Sequence, residues 1–166
     1  VLTQNVTVYL DANGQAAITA QDVDNGSSDN CGLDTMLLDK SLFTCSDVGT
    51  VPVVFTAIDF SGNSSIGSVS VTVIDTIAPT VLTQNIIAYL DGLGQVSITP
   101  SDVDNGSFDN CLIDSLILDQ VDFVCSDTGS NSVILTAIDE SGNSSSASAI
   151  VTVVDTISPI VIPVSS

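Results

Sequence analysis

Hydrophobic and polar positions alternate along much of this chain, and the alternation has period two. Val6, Val8 and Leu10 are interleaved with Thr7 and Tyr9; Val53, Phe55 and Ala57 form a second such run, and Val69, Val71 and Val73 alternate with Ser70 and Thr72. Successive side chains of a strand point to opposite faces, so these are half-buried β-strands. "DANG" at 11–14 leads into "QAAIT" and predicts a hairpin. "DFSGN" at 59–63 predicts a turn, and "LDTMLLD" and "SLFTC" predict strands between these regions. No apolar stripe at helical spacing appears. Short strands punctuated by turns about every eight to twelve residues predict an all-β chain, an antiparallel β-sandwich of Ig-like type, with six or seven strands to a unit. Met36, Phe43 and Phe123 fall in core phase, and Tyr9 and Tyr89 fall outside it.

The pattern is written twice. Residues 1–80 lie over 81–160 without a gap, and 47 of 80 positions are identical, from "VLTQN" at Val1 and Val81 to "DTIAP" at Asp75 and "DTISP" at Asp155. Identity at that level with no insertion means one module in tandem rather than one domain with internal symmetry. We expect Ig-like repeats over 1–78 and 79–160, with 161–166 starting a following unit or forming a tail. The joint at Asp75 to Thr80 is short and stiffened by Pro79. Val1 opens no signal-peptide pattern, which fits a slice of a longer chain.

Charge changes the picture of partners. Twenty acidic residues face one base, Lys40, for a net charge of −19, while 44% of residues are hydrophobic, which excludes a disordered acidic tail. Nothing here can neutralise phosphates, so nucleic acid and anionic membrane surfaces are poor partners and metal cations good ones. Apolar stretches are too short to insert into a bilayer. With no His, no Arg, one Lys and the single Glu140, the usual proton-transfer and oxyanion groups are missing, and the chain does not read as an enzyme.

Four cysteines stand at 31, 45, 111 and 125, one pair per repeat at matched spacing. The even count predicts local disulfides Cys31–Cys45 and Cys111–Cys125 and an extracytoplasmic setting. Closing a loop of about 15 residues would contribute roughly 3 kcal/mol on a chain-entropy account. The alternatives are four buried thiols or a zinc site, the latter disfavoured without His.

"QDVDNGSSDNC" at 21–31 returns as "SDVDNGSFDNC" at 101–111. Asp22, Asp24, Asn25 and Asp29, and in the second repeat Asp102, Asp104, Asn105 and Asp109, offer oxygen ligands around a Gly turn, a set suited to Ca²⁺, which takes six to eight oxygens in flexible geometry. Two carboxylates about 5 Å apart repel by on the order of 3 kcal/mol at an effective dielectric near 20, so a tight cluster needs a counter-charge. A sandwich could bring Asp59 and Asn63 to the same end as Asp22 and Asp24, and Asp139 and Asn143 to that of Asp102 and Asp104. Asp75 would then supply a ligand from the preceding module. The competing reading is turn chemistry, since Asp, Asn and Gly bond their own backbone in turns without any metal. Asp11 and Asp91 read more simply as turn residues.

"DNCG" at 29–32, "DVGT" at 47–50, "TAIDFSGNSS" at 56–65 and "VTVIDTIAP" at 71–79 occur in an order that resembles the hyalin-type (HYR-like) group of Ig-like repeats, and more closely the tandem repeats of long surface adhesins of gliding bacteria. The resemblance covers the whole chain, twice. It implies a cell-surface, extracellular role in adhesion or gliding movement, with adjacent repeats of the same chain as the first partners and surface glycans or solid surfaces as further ones. The expected function is a calcium-stiffened spacer of a long adhesin. The runner-up is a glycan-binding module or an accessory domain of a secreted hydrolase, which would call for an aromatic platform that a chain with no Trp and two Tyr scarcely offers.

Overall fold

The computed structural model describes residues 1–160, so the expectation for 161–166 lies outside the described residues. The chain divides into two units, Val1–Ile77 and Ala78–Ser166, each with its own sheets and core.

In the first unit β1 (Val6–Tyr9), β3 (Leu33–Leu38), β5 (Gly49–Asp59) and β6 (Ser64–Ile74) form one sheet in the order β1-β6-β5-β3. β2 (Gln15–Ala17) and β4 (Leu42–Thr44) form the second. β7 (Ile86–Tyr89), β9 (Ile113–Leu118), β11 (Gly129–Asp139) and β12 (Ser144–Val154) repeat the larger sheet, and β8 (Gln95–Ser97) with β10 (Asp122–Val124) the smaller one. This is an all-β, Ig-like sandwich in each unit, with six strands.

Period two built the long strands as expected. Val53, Phe55 and Ala57 of β5 and Val69, Val71 and Val73 of β6 are buried against Phe43 of β4. The second core repeats this with Phe123, Val133, Leu135, Val151 and Val153. Phe43 and Phe123 are fully buried, while Tyr9 and Tyr89 are 61% and 58% exposed.

Three expectations need correction. The pairing is not wholly antiparallel: β1 lies parallel to β6, Val6 opposite Val71 and Tyr9 opposite Ile74, and β7 lies parallel to β12 in the same register. Nor does "DANG" close a hairpin. Asp11 Oδ1 accepts the Asn13 and Gln15 amides at 2.8 and 3.0 Å, and Gly14 takes φ 69°, so the turn forms. Yet β2 leaves it to pair with β4 in the other sheet. A tight turn fixes reversal of direction, not which sheet receives the next strand.

The third correction concerns the cysteines. Cys31 and Cys125 are free, exposed thiols, whereas Cys45 and Cys111 are disulfide-bonded, so neither Cys31–Cys45 nor Cys111–Cys125 exists. β3 runs antiparallel to β5 and hence along β1, and β4 runs antiparallel to β2, which itself returns against β1. β3 and β4 therefore advance in the same direction. Their six and three residues carry the chain on the order of 20–30 Å at about 3.3 Å each, far beyond the roughly 4.4–6.8 Å that a disulfide allows between Cα atoms. Cys31 lies at the head end of its unit, with the 24–31 loop, and Cys45 at the tail end, its Sγ 3.8 Å from the Gly14 carbonyl oxygen.

The tail end of the second unit contains a tight spot. Gly94 has φ +76°, and a methyl added there would collide with Cys125 Sγ; Gly92 has open space and no positive φ. Gly94→Ala should cost about 1–2 kcal/mol of left-handed backbone strain, with Cys125 turning aside, while Gly92→Ala should stay within about 0.5 kcal/mol of the parent. Urea unfolding of the two variants side by side checks this; equal midpoints would refute it.

Candidate functional site

The acidic loop begins as a helical turn rather than as open loop. Residues α1 (Ala20–Val23) and α2 (Pro100–Val103) each follow a Thr whose amide and hydroxyl are taken up by the Asp three positions on. Asp22 Oδ2 accepts from Thr19 N and Oγ1, both at 2.7 Å, and Asp102 Oδ2 accepts from Thr99 N and Oγ1 at 2.7 and 2.8 Å. A single turn shows no stripe, so its only signature in sequence is the Thr-x-x-Asp spacing of a capping box.

The next residues are stapled to the start of the chain. Gln4 N donates to Val23 O and Asn25 N to Leu2 O, both at 2.9 Å, while Leu2 N donates to Ser27 Oγ. Asp24 Oδ1 accepts the Ser27 amide at 2.9 Å, and Asp29 Oδ1 the Cys31 amide at 2.9 Å. Asp59 Oδ1 accepts the amides of Ser61 and Asn63 and its Oδ2 the Asn63 side-chain amide, all at 2.8 Å. The second unit repeats each contact at Asp104, Asp109 and Asp139.

Of the residues singled out, the structure brings Asp29, Asp59 and Asn63 to one small pocket of about 130 Å³ at the head of the first unit, with Ser27, Ser28 and Ser64 and an apolar wall of Val1, Leu33 and Ala57. Asp22 faces its own Thr19 instead, and Asn25 is exposed. Asp75 is buried and its Oδ1 accepts the Ile77 amide at 3.1 Å. In the second unit Asp139 is buried at 3% exposure, and Asp109 Oδ1 is buried with no hydrogen-bond partner among the described residues.

No protein-family model matches this chain, and no curated protein matches it. Among solved structures it is similar to extracellular cadherin domains 1–4 of protocadherin gamma B7, at 12% identity and TM-score 0.40, over 92% of this chain and 49% of that one. It is likewise similar to EC1-3 of mouse clustered PcdhgC3, at 12% identity and TM-score 0.42, over 93% of this chain and 66% of that one. Human protocadherin-24 EC1-2 gives 14% identity and TM-score 0.45 over 93% and 96%. The chain thus spans about half the length of the first of these and 66% of the second. At such scores the assignment of fold rests on the strand pairing above, and the site on its own chemistry.

That chemistry holds the carboxylates ionised. The Thr19 amide and hydroxyl lower the pKa of Asp22, the Ser27 hydroxyl and amide that of Asp24, and the Asn63 side chain that of Asp59. Burial pushes Asp104 up, but the Ser107 hydroxyl and amide outweigh it and the net shift is downward. The Gln15 and Gln95 amides lower Asp11 and Asp91 in the same way. Away from the head end, Lys40 lowers Asp47, which it meets at 2.5 Å.

A depressed folded-state value means that the stabilisation is present above the unfolded value and is lost as pH falls through the folded one. The melting temperature should therefore hold between pH 7 and about 5 and fall below the ordinary Asp value of 3.8. Mutual repulsion of the −19 chain works the other way. A melting temperature that rises on acidification from pH 5 to pH 3 would show repulsion outweighing the turn hydrogen bonds.

Two groups of residues were missed by reading the sequence alone. Asn5 Oδ1 accepts the Ser70 amide at 2.9 Å and Asn85 Oδ1 the Ile150 amide at 2.8 Å, each extending the parallel pairing by one contact. Asp39 and Asp119 accept the Val54 and Ile134 amides at 2.7 Å, just past the end of the partner strand. Their identity in both repeats was the available signal, and their exposure on a polar stretch concealed it.

Proposed function

We propose that this chain is a spacer segment of a long extracellular, cell-surface adhesin in which Ca²⁺ at the head end of the units stiffens the array for adhesion or gliding movement. The observation that carries the cation is Asp109 Oδ1, a buried carboxylate oxygen without a hydrogen bond in a loop where the neighbouring carboxylates are satisfied. Burying a charged oxygen unpaired is costly, and a cation removes that cost. Fit is supported by the donor set: Asp29, Asp59 and Asn63 with hydroxyls in the first unit, and Asp109 with Asp139 in the second, are hard oxygen ligands of the kind Ca²⁺ takes. Asp24 and Asp104, Asn25 and Asn105, Asp22, Asp102 and Asp75 complete the proposed ligand set, the capping carboxylates with least claim because their oxygens already serve Thr19 and Thr99. When bound, the ion would supply positive charge to a chain with almost none of its own and tie the 24–31 loop to the 59–63 turn. Glycans or solid surfaces are the proposed partners along the array.

Thermal unfolding of the chain in excess chelator and in millimolar calcium, with magnesium as control, tests the reading. A rise specific to calcium supports it, and no shift overturns it.

A further inference from the structure

We propose that the two ends of this chain are complementary, so that a second copy docks its tail-end segment 157–160 onto the head of the first unit and is locked there by a Cys31–Cys125 disulfide between copies. The inference goes beyond the spacer reading and does not need calcium.

The argument starts from equivalent positions that differ in state. Cys31 and Cys111 occupy the same place in the repeat, as do Cys45 and Cys125. Cys111 and Cys45 are disulfide-bonded, whereas Cys31 and Cys125 are exposed free thiols. Each kind of position is thus built to be bonded, and one of each kind is left as a thiol.

The backbone around them shows the same division. In the second unit Thr80 N donates to Phe108 O at 2.7 Å and Phe108 N to Thr80 O at 3.0 Å, and the preceding Pro79 is buried. The counterpart of Phe108 is Ser28, which borders the head pocket and has no backbone partner among the described residues. The counterpart of Pro79-Thr80 is Pro159-Ile160, exposed, with Ile160 89% accessible. Cys125 lines one surface pocket together with Ile157, Ser158 and Pro159. Cys31 follows Ser28 by three positions. Seating Pro159 against Val1 and Leu33 and pairing Ile160 with Ser28 therefore carries the free thiol of one copy toward that of the other. The two surfaces differ, so the contact is heterologous and each docked copy presents a fresh head or tail; linear chains result rather than a closed dimer.

The covalent step is thiol–disulfide exchange with a small-molecule disulfide as oxidant. The Cys31 thiolate attacks that disulfide, forming a mixed disulfide and releasing one thiol. The Cys125 thiolate of the second copy then attacks the Cys31 sulfur and releases the second thiol. Two protein thiols lose two electrons and two protons, and the oxidant takes them up.

The test incubates the full chain, in chelator and at moderate salt to screen its charge, with oxidised glutathione and reads covalent size on non-reducing gels and by intact mass. Expected is a ladder of integer multiples, collapsed by dithiothreitol, with a Cys31–Cys125 peptide after digestion. Cys31→Ser alone and Cys125→Ser alone should stay monomeric, while their mixture should give dimers only. Ile160→Pro, which removes the pairing amide from an exposed position, should slow the ladder by about tenfold, as loss of one good hydrogen bond would. Dimers from either serine variant alone, glutathione adducts without a ladder, or an unchanged rate in Ile160→Pro would overturn the proposal.

Discussion

Phe123→Ala should lower the stability of the second unit by about 3–5 kcal/mol. Phe123 is 1% exposed on β10, a strand of three residues whose partner β8 is equally short. That sheet has little backbone pairing to hold it, so its attachment depends on what Phe123 buries against Val133, Leu135 and Val151 of the larger sheet. Removing the ring takes away its transfer energy and leaves a cavity that close-packed β-branched neighbours cannot readily refill. A unit of about eighty residues has roughly 4–12 kcal/mol of stability in total, and at about 4–8 °C per kcal/mol the melting point of that unit should fall by tens of degrees. Phe60→Ala is the control, because its ring is 70% exposed on the turn and should cost no more than about 1 kcal/mol. Calorimetry that found the two substitutions equal would show that the short sheet is not held by its aromatic anchor.

The same residues show how far the sequence could be read. β5 and β6 were legible because burial on one face and solvent on the other is a local property, written into alternate positions of one strand. The parallel partnership of β1 with β6 was not, since Val6 and Val71 lie far apart in sequence and an alternating strand looks alike whichever neighbour it pairs with. The cysteines failed for a related reason. Spacing suggested loop closure, but whether fourteen residues form a loop or traverse the unit depends on β3 and β4 running the same way in different sheets. At the head end the ambiguity was chemical. Asp22 carried the ligand-like pattern and the capping pattern at once, and the structure assigns its oxygen to Thr19. Asp59 carried the turn pattern and still reaches the pocket beside Asp29.

That double use of carboxylates defines the second large effect, the response to calcium. An ion that binds only the folded chain raises stability by RT ln(1 + [L]/Kd), about 2.7 kcal/mol at a hundredfold excess over Kd. For a unit of this size the shift would be on the order of 10–20 °C. Asn substitutions separate the two roles. Asp139 is buried and accepts the Asn143 amide and side chain, both at 2.8 Å. Asp139→Asn keeps an acceptor of the same shape for the Asn143 amide, so in chelator it should cost only the weaker of these bonds, about 1–1.5 kcal/mol. In calcium it should lose that and the increment due to the ion. Asp109→Asn makes the sharper comparison: Oδ1 has no hydrogen bond to lose, so neutralising it should leave stability in chelator unchanged or higher, while abolishing the calcium response of the second unit. If Asp109→Asn instead kept the full calcium shift, the buried oxygen would not be a ligand, and the head-end carboxylates would be turn residues alone.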